Sequence, residues 1–143
     1  MTPAEKTSLT KDLARRLGFD RVGIVRLGPS GKDTYYRDWL ASGYAGSMAY
    51  LHANADLRND PRGLLPGAER AICVAISYNH ADPEAPDPAD APAGHTSGYV
   101  RGRDYHHVLR EKLGELVEQL HEQLDTDFET RICVDTAPLR ERE

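Results

Sequence analysis

Apolar positions along this chain repeat in two ways, and each predicts a different element. Leu9, Leu13 and Leu17 recur every four residues, which lines one face of a helix over residues 3–17, and Gly18 is placed to end it. Val22, Ile24 and Val25 mark a strand over Arg21–Leu27, closed by the turn Gly28-Pro29-Ser30-Gly31. Tyr35, Trp39 and Leu40 predict a second helix that stops near Gly43. Gly46 to Leu51 reads as a short helix with Ser47 as its N-cap and Met48, Tyr50 and Leu51 in the core. Asp60 before Pro61 signals a further helix start, and Pro66-Gly67 a turn. Arg70 to Tyr78, RAICVAISY, is almost continuously apolar, which predicts a strand covered on both faces and central in its sheet.

The clearest helix comes later. Tyr105, Leu109, Leu113, Leu116, Leu120 and Leu124 form one stripe, with Asp104 as N-cap. Phe128 to Asp135 then alternates with period two, so a strand is expected, with Asp135 ending it on the more polar face and Pro138 opposing continuation. Residues 81–95, rich in proline and acidic side chains, read as a solvated loop. Helices alternating with strands imply an α/β (α+β) layered sheet with flanking helices, as one domain over residues 1–143.

Composition narrows the function classes. A net charge of -5 argues against a whole-surface grip on nucleic acid by this chain alone. The 2 cysteines, Cys73 and Cys133, lie in apolar runs and read as buried reduced thiols; they have neither the number nor the spacing for a metal or iron–sulfur site. No signal-peptide pattern and no apolar run of membrane-spanning length is present, so the chain reads as a cytoplasmic soluble protein with no membrane partner. Leu139 to Glu143 follows the last expected strand with no closing element, which reads as a fragment.

Reactive side chains gather in Gly98–Leu109, GYVRGRDYHHVL, at the mouth of the long helix, and in Val134–Pro138. The two stretches are expected to face one cleft. Asp135 has two readings: a turn cap for Thr136 and Ala137, or a partly shielded carboxyl of raised pKa acting as a general acid. Arg101 and Arg103 flank a helix N-terminus, which favours an anion; they read equally as solvated arginines. Asp104 reads as a cap and Tyr105 as core.

Three segments taken together carry a resemblance. GSMAYLHANADLRNDPRGLLPGAERAICVAISY, then YVRGRDYHHVLREKL, then ICVDTAPLRERE, resemble in order and spacing the N-terminal part of the epoxyqueuosine reductase family. The resemblance implies a nitroreductase-like α/β fold that holds cobalamin. It implies reduction of epoxyqueuosine to queuosine in tRNA, with two [4Fe-4S] clusters in a following domain and a helical-repeat tail that helps hold the tRNA. It matches Asp135 to the family's proton donor, Arg58 to an arginine that contacts cobalamin, and Ser97 to another cofactor contact. Tyr99, Arg101, Tyr105 and His106 fall in the motif beside the cofactor, and a monomer is expected.

Two departures stand out. Relatives often read SRYA where this chain has Ser97-Gly98-Tyr99-Val100, so one arginine is lost. No CxxCxxCxxxCP run occurs, so the chain brings no cluster ligands and is expected to be inactive alone. The alternatives are a stand-alone cobalamin-binding or carrier module without reductase activity, and a remnant that folds poorly.

Overall fold

The computed structural model of the chain describes residues 1–78, 97–100 and 102–140. They form two compact units: a helical unit, Met1–Val22 with Val74–Asp125, and a unit of short segments, Gly23–Cys73 with Thr126–Glu143.

Two long helices make the helical unit. In α1, Pro3–Arg16, the Thr2 hydroxyl accepts the Glu5 N–H at 3.2 Å and the Glu5 carboxylate accepts the Thr2 N–H at 2.6 Å, so two otherwise orphan donors are satisfied at once. Pro3 fits there because its missing N–H would have had no partner. The helix stops where Gly18 takes φ +84°. In α5, Tyr105–Gln123, Asp104 Oδ1 accepts the His106 N–H at 2.9 Å. The two helices pack together, burying Leu13 and Ala14 of α1 and Leu116 and Leu120 of α5, with Phe19 also buried in this unit. Each leucine withdrawn from water contributes about 2 kcal/mol. Lys112 of α5 donates to the Leu17 carbonyl, one of the acceptors left at the end of α1. Thr10, the buried polar residue, gives its hydroxyl to the Lys6 carbonyl at 2.8 Å.

The second unit is built from short pieces: α2 (Asp33–Ala41), α3 (Ala49–Ala53), α4 (Ala55–Asn59) and a 3-10 turn, Pro61–Leu64. Its buried cluster is small, Leu40, Ala45 and Ala55, flanked by Tyr36, Trp39 and Leu51. Asp60 starts the 3-10 turn by accepting the Arg62 N–H, as the Asp-Pro pair predicts. Strands β1 (Arg21–Arg26) and β2 (Arg70–Ala75) form a two-stranded antiparallel sheet. Bonds from Asp20 N to the Ala75 carbonyl and from Leu27 N to the Glu69 carbonyl, both 2.9 Å, bracket the pairing. The fold is therefore mixed, helices with an antiparallel sheet, in line with the predicted class.

Several sequence expectations fail, for traceable reasons. β2 is not a strand buried on both faces: four of its positions, Arg70, Ile72, Cys73 and Ala75, are exposed. Its pairing among the described residues is with β1 alone, so apolar character here does not report double coverage. Phe128–Val134 forms no regular element, Asp135 lies in a bend, and the segment joins no ladder among the described residues, because β-propensity does not supply a partner edge. The third helix starts at Ala49, with Met48 at its N-cap and no side-chain cap bond. Gly43 and Gly46, both at positive φ, turn the preceding segment and take Ser47 into the turn. Met48 and Tyr50 are exposed rather than core. Cys73 is exposed and Cys133 half-buried, both free, because their runs do not become interior strands. The loop expected at 81–95 lies outside the described residues. No helix among the described residues is long and apolar enough to cross a membrane.

Candidate functional site

The predicted site residues divide between the units. Ser97, Tyr99, Tyr105 and His106 belong to the helical unit, Arg58 and Asp135 to the unit of short segments; Arg101 lies outside the described residues.

In the helical unit the chain enters α5 through a 3-10 turn, Gly98–Val100, where the exposed Ser97 accepts the Val100 N–H at 3.2 Å. A side chain at Gly98 would bring its Cβ to 3.3 Å from the Tyr78 carbonyl, so the missing arginine coincides with a tight backbone approach. Four rings follow one another from there. Tyr78 meets Tyr99 edge-on with centroids 5.8 Å apart, Tyr99 meets Tyr105 edge-on at 5.7 Å, and Tyr105 stacks on His106 at 4.1 Å. Edge-to-face contacts of this kind place positive ring edges on negative faces. Tyr105 is thus half-buried within an aromatic run rather than in the apolar core. Tyr78, which no sequence period singles out, begins the run and is exposed.

Asp104 does more than cap. Its Oδ1 also meets His106 Nδ1 at 2.8 Å, and its Oδ2 lies 3.8 Å from His107 Nδ1. The His106 backbone N–H, and after it the imidazole, hold the Asp104 carboxyl below the usual aspartate range. Arg103 is turned to Glu111, with bonds of 2.9 and 3.0 Å, and so is an ion-pair partner rather than a free anion contact.

In the other unit Arg58 ends α4. Its Nη1 donates to the Leu139 carbonyl at 3.1 Å, while its Nε is buried with no hydrogen-bond partner among the described residues. Asn59 Oδ1 is in the same condition. Arg140, next to Leu139, donates from Nη1 to Ser30 Oγ at 2.8 Å and lies 4.7 Å over the Tyr36 ring; its Nη2 is buried and unpartnered. Ser30 N donates to the Asn59 carbonyl at 2.7 Å. Sequence reasoning did not find Arg140, which sits outside any periodic element; its position two residues after Pro138 was the signal available.

Asp135 is exposed, not shielded, since the segment carrying it does not enter a sheet. It sits at φ +54°, and among the described residues it is the non-glycine residue at positive φ. Thr136 N donates to the Val134 carbonyl at 2.6 Å across it, a tight turn with Asp135 at its apex. Val134, just before, is buried and anchors that turn.

The sequence profile of the family described as "Epoxyqueuosine reductase QueG, DUF1730" matches residues 58–136, which run from Arg58 past Asp135. An epoxyqueuosine reductase from Xanthomonas campestris is 34% identical over 142 residues, covering 98% of this chain and 40% of that protein. One from Gloeobacter violaceus is 42% identical over 134 residues, covering 92% of this chain and 40% of that protein. The solved structure of epoxyqueuosine reductase from Streptococcus thermophilus has a TM-score of 0.75 and 25% identity, over 93% of this chain and 35% of that one. The chain therefore spans about 40% of the length of these two curated relatives. With the family profile covering more than half of its residues, this chain belongs to the epoxyqueuosine reductase family.

Proposed function

We propose that this chain is the cobalamin-binding, proton-donating portion of a reductase that converts epoxyqueuosine to queuosine in tRNA. The observation that most directly supports the reading is the conformation of Asp135. Left-handed backbone costs a non-glycine residue on the order of 1 kcal/mol, and such outliers persist where the surroundings hold them and cluster at functional sites. Here the outlier falls inside the matched family region, on the one residue the resemblance assigns to chemistry.

The chain's polar groups fit the cofactor. A corrin carries a rim of amide side chains, each with a carbonyl acceptor and an N–H donor. Asn59 Oδ1 is a buried acceptor without a partner and would take the N–H of such an amide, while Arg58 Nε beside it is a buried donor free for another polar group of the cofactor. Bound cobalamin would supply the reducing nucleophile for the epoxide carbon. The chain's own part is to orient the reactants and to supply a proton. As the epoxide C–O bond opens, the Asp135 carboxyl gives its proton to the leaving oxygen and is left as a carboxylate. Being exposed, it can be re-protonated from solvent between turnovers. The clusters that would return electrons belong to the part of the relatives this chain does not span.

A titration tests this. The folded chain, mixed with cob(II)alamin, should change the visible spectrum saturably. A folded chain that leaves the spectrum unchanged would sink the reading. Turnover restored by adding the relatives' C-terminal portion in trans would separate a reductase portion from a stand-alone carrier.

A further inference from the structure

We propose that Arg140 completes, with Arg58, a two-arginine site for a phosphodiester. Each guanidinium is tethered by one nitrogen and has another that is buried without a partner. Arg58 is held through Nη1 on the Leu139 carbonyl, which precedes Arg140 directly, and Ser30, which holds Arg140, donates its N–H to the carbonyl of Asn59, the neighbour of Arg58. Arg140 is fixed by Ser30 and by the Tyr36 ring. Arg58 Nε and Arg140 Nη2 remain.

Neither arginine has a carboxylate partner among the described residues. The acids that flank Arg58 in sequence are committed elsewhere. Asp56 binds Arg37 at 2.7 Å, and Asp60 chelates Arg62 through both oxygens. Asp33 is also held by Arg37, at 2.7 Å. A guanidinium stays charged at any working pH, so a half-buried one with unmatched N–H groups favours a nearby anion rather than losing its proton. Two planar, pre-oriented guanidinium heads, one offering its Nε–H and the other its Nη2 amino group, suit the two unesterified oxygens of a phosphodiester. The unmatched acceptor Asn59 Oδ1, next to Arg58 in sequence, would take a hydroxyl or amide donor that flanks such a phosphate.

The choice of anion rests on the function proposed above, because cobalamin carries a phosphodiester in its nucleotide tail and RNA carries one at every residue. The test separates these sources. Cobalamin and cobinamide, which lacks the nucleotide tail and its phosphate, are each titrated into the chain and into Arg140→Gln. A synthetic anticodon stem–loop RNA is titrated in parallel over a range of salt. If the phosphate is the cofactor's, the wild type prefers cobalamin and Arg140→Gln lowers that affinity about tenfold while leaving cobinamide unchanged. If it is the RNA's, both corrinoids bind alike, and Arg140→Gln weakens RNA binding and lowers its salt slope by about one. Corrinoid binding with no effect of Arg140→Gln on any ligand overturns the phosphodiester site and leaves the proposed function standing. Failure of both corrinoids to bind overturns that function instead, and the RNA arm alone then decides the site. Should Arg140→Gln not fold, Arg140→Lys keeps the charge but loses the planar fork, and is expected to show a smaller loss in the same arm.

Discussion

Four buried side-chain atoms lack a hydrogen-bond partner among the described residues: Asp33 Oδ1, Arg58 Nε, Asn59 Oδ1 and Arg140 Nη2. All four lie in the unit of short segments, as does Asp135 with its left-handed backbone. The helical unit has the opposite character. It holds the largest fully buried side chains, Leu13 and Leu116, and its buried polar residue, Thr10, is satisfied within its own helix. Folded proteins rarely leave buried polar groups unmatched, and they break local rules mainly where function requires it. The contrast places the fully buried leucines in the α1–α5 pair and the unmatched buried polar atoms in the short segments.

The sharpest way to break this contrast is at Asp135. In the enzyme assembled with the C-terminal portion its relatives carry, Asp135→Asn should lower epoxide reduction by about 10²–10⁴-fold, the range for a lost general acid. The denaturation midpoint should stay near the wild-type value, since the side chain is exposed. Asp135→Gly goes further: it should gain about 1 kcal/mol by relieving the φ +54° backbone while losing turnover. Turnover that survives both substitutions would remove Asp135 from the chemistry.

Leu116→Ala probes the other side. Leu116 is 2% exposed, and truncating such a side chain leaves a cavity, so a loss of about 2–5 kcal/mol is expected in urea denaturation. A loss well under 1 kcal/mol would mean that the α1–α5 contact is not the main source of stability. Tyr36→Phe should be milder. It removes the 3.1 Å bond from the Tyr36 hydroxyl to the Leu51 carbonyl but keeps the ring under Arg140, for about 1 kcal/mol by the same measurement.

The same contrast explains how much could be read from the sequence. Elements with a long period were legible: the leucines of α1 and α5, Gly18 as a stop and Asp104 as a cap all stand where the pattern puts them. Such elements carry their own hydrogen bonds, so the local sequence suffices. Strands do not, and there the reading fails. Nothing within RAICVAISY or FETRICVD says whether a neighbouring edge exists, so β2 is exposed where burial was expected, and Phe128–Asp135 is no part of the sheet among the described residues. Of the site, Asp135 was legible at the end of an expected strand as either cap or acid, and motif likeness chose between them; Arg58 came from motif likeness alone. Arg140, Ser30 and Tyr36 were invisible because residues 30, 36 and 140 meet only through tertiary structure. Tyr78 likewise joins Tyr99 across a sequence gap that no periodicity bridges.

The smallest expected effect is a pH dependence at the helical unit's polar ends. Asp104 opens α5, and its carboxyl is held below the usual range first by the His106 N–H and then by the His106 ring. Asp125 follows α5 and is lowered by a backbone N–H, by the chain's amino terminus and by Lys6. In both cases folding favours the ionised form. The stabilisation is therefore fully present above the unfolded aspartate value, near pH 4, and is lost as pH falls through the lower folded-state values. Both side chains are largely exposed, so salt should weaken the effect. Asp104→Ser separates capping from charge, because a serine hydroxyl caps equally well at any pH. Measured between pH 6 and pH 3 at low salt, the melting temperature of Asp104→Ser should start close to the wild type and fall less steeply below about pH 4. Parallel curves would mean that the His106–Asp104 contact, although 2.8 Å long, adds nothing to folding beyond the cap itself.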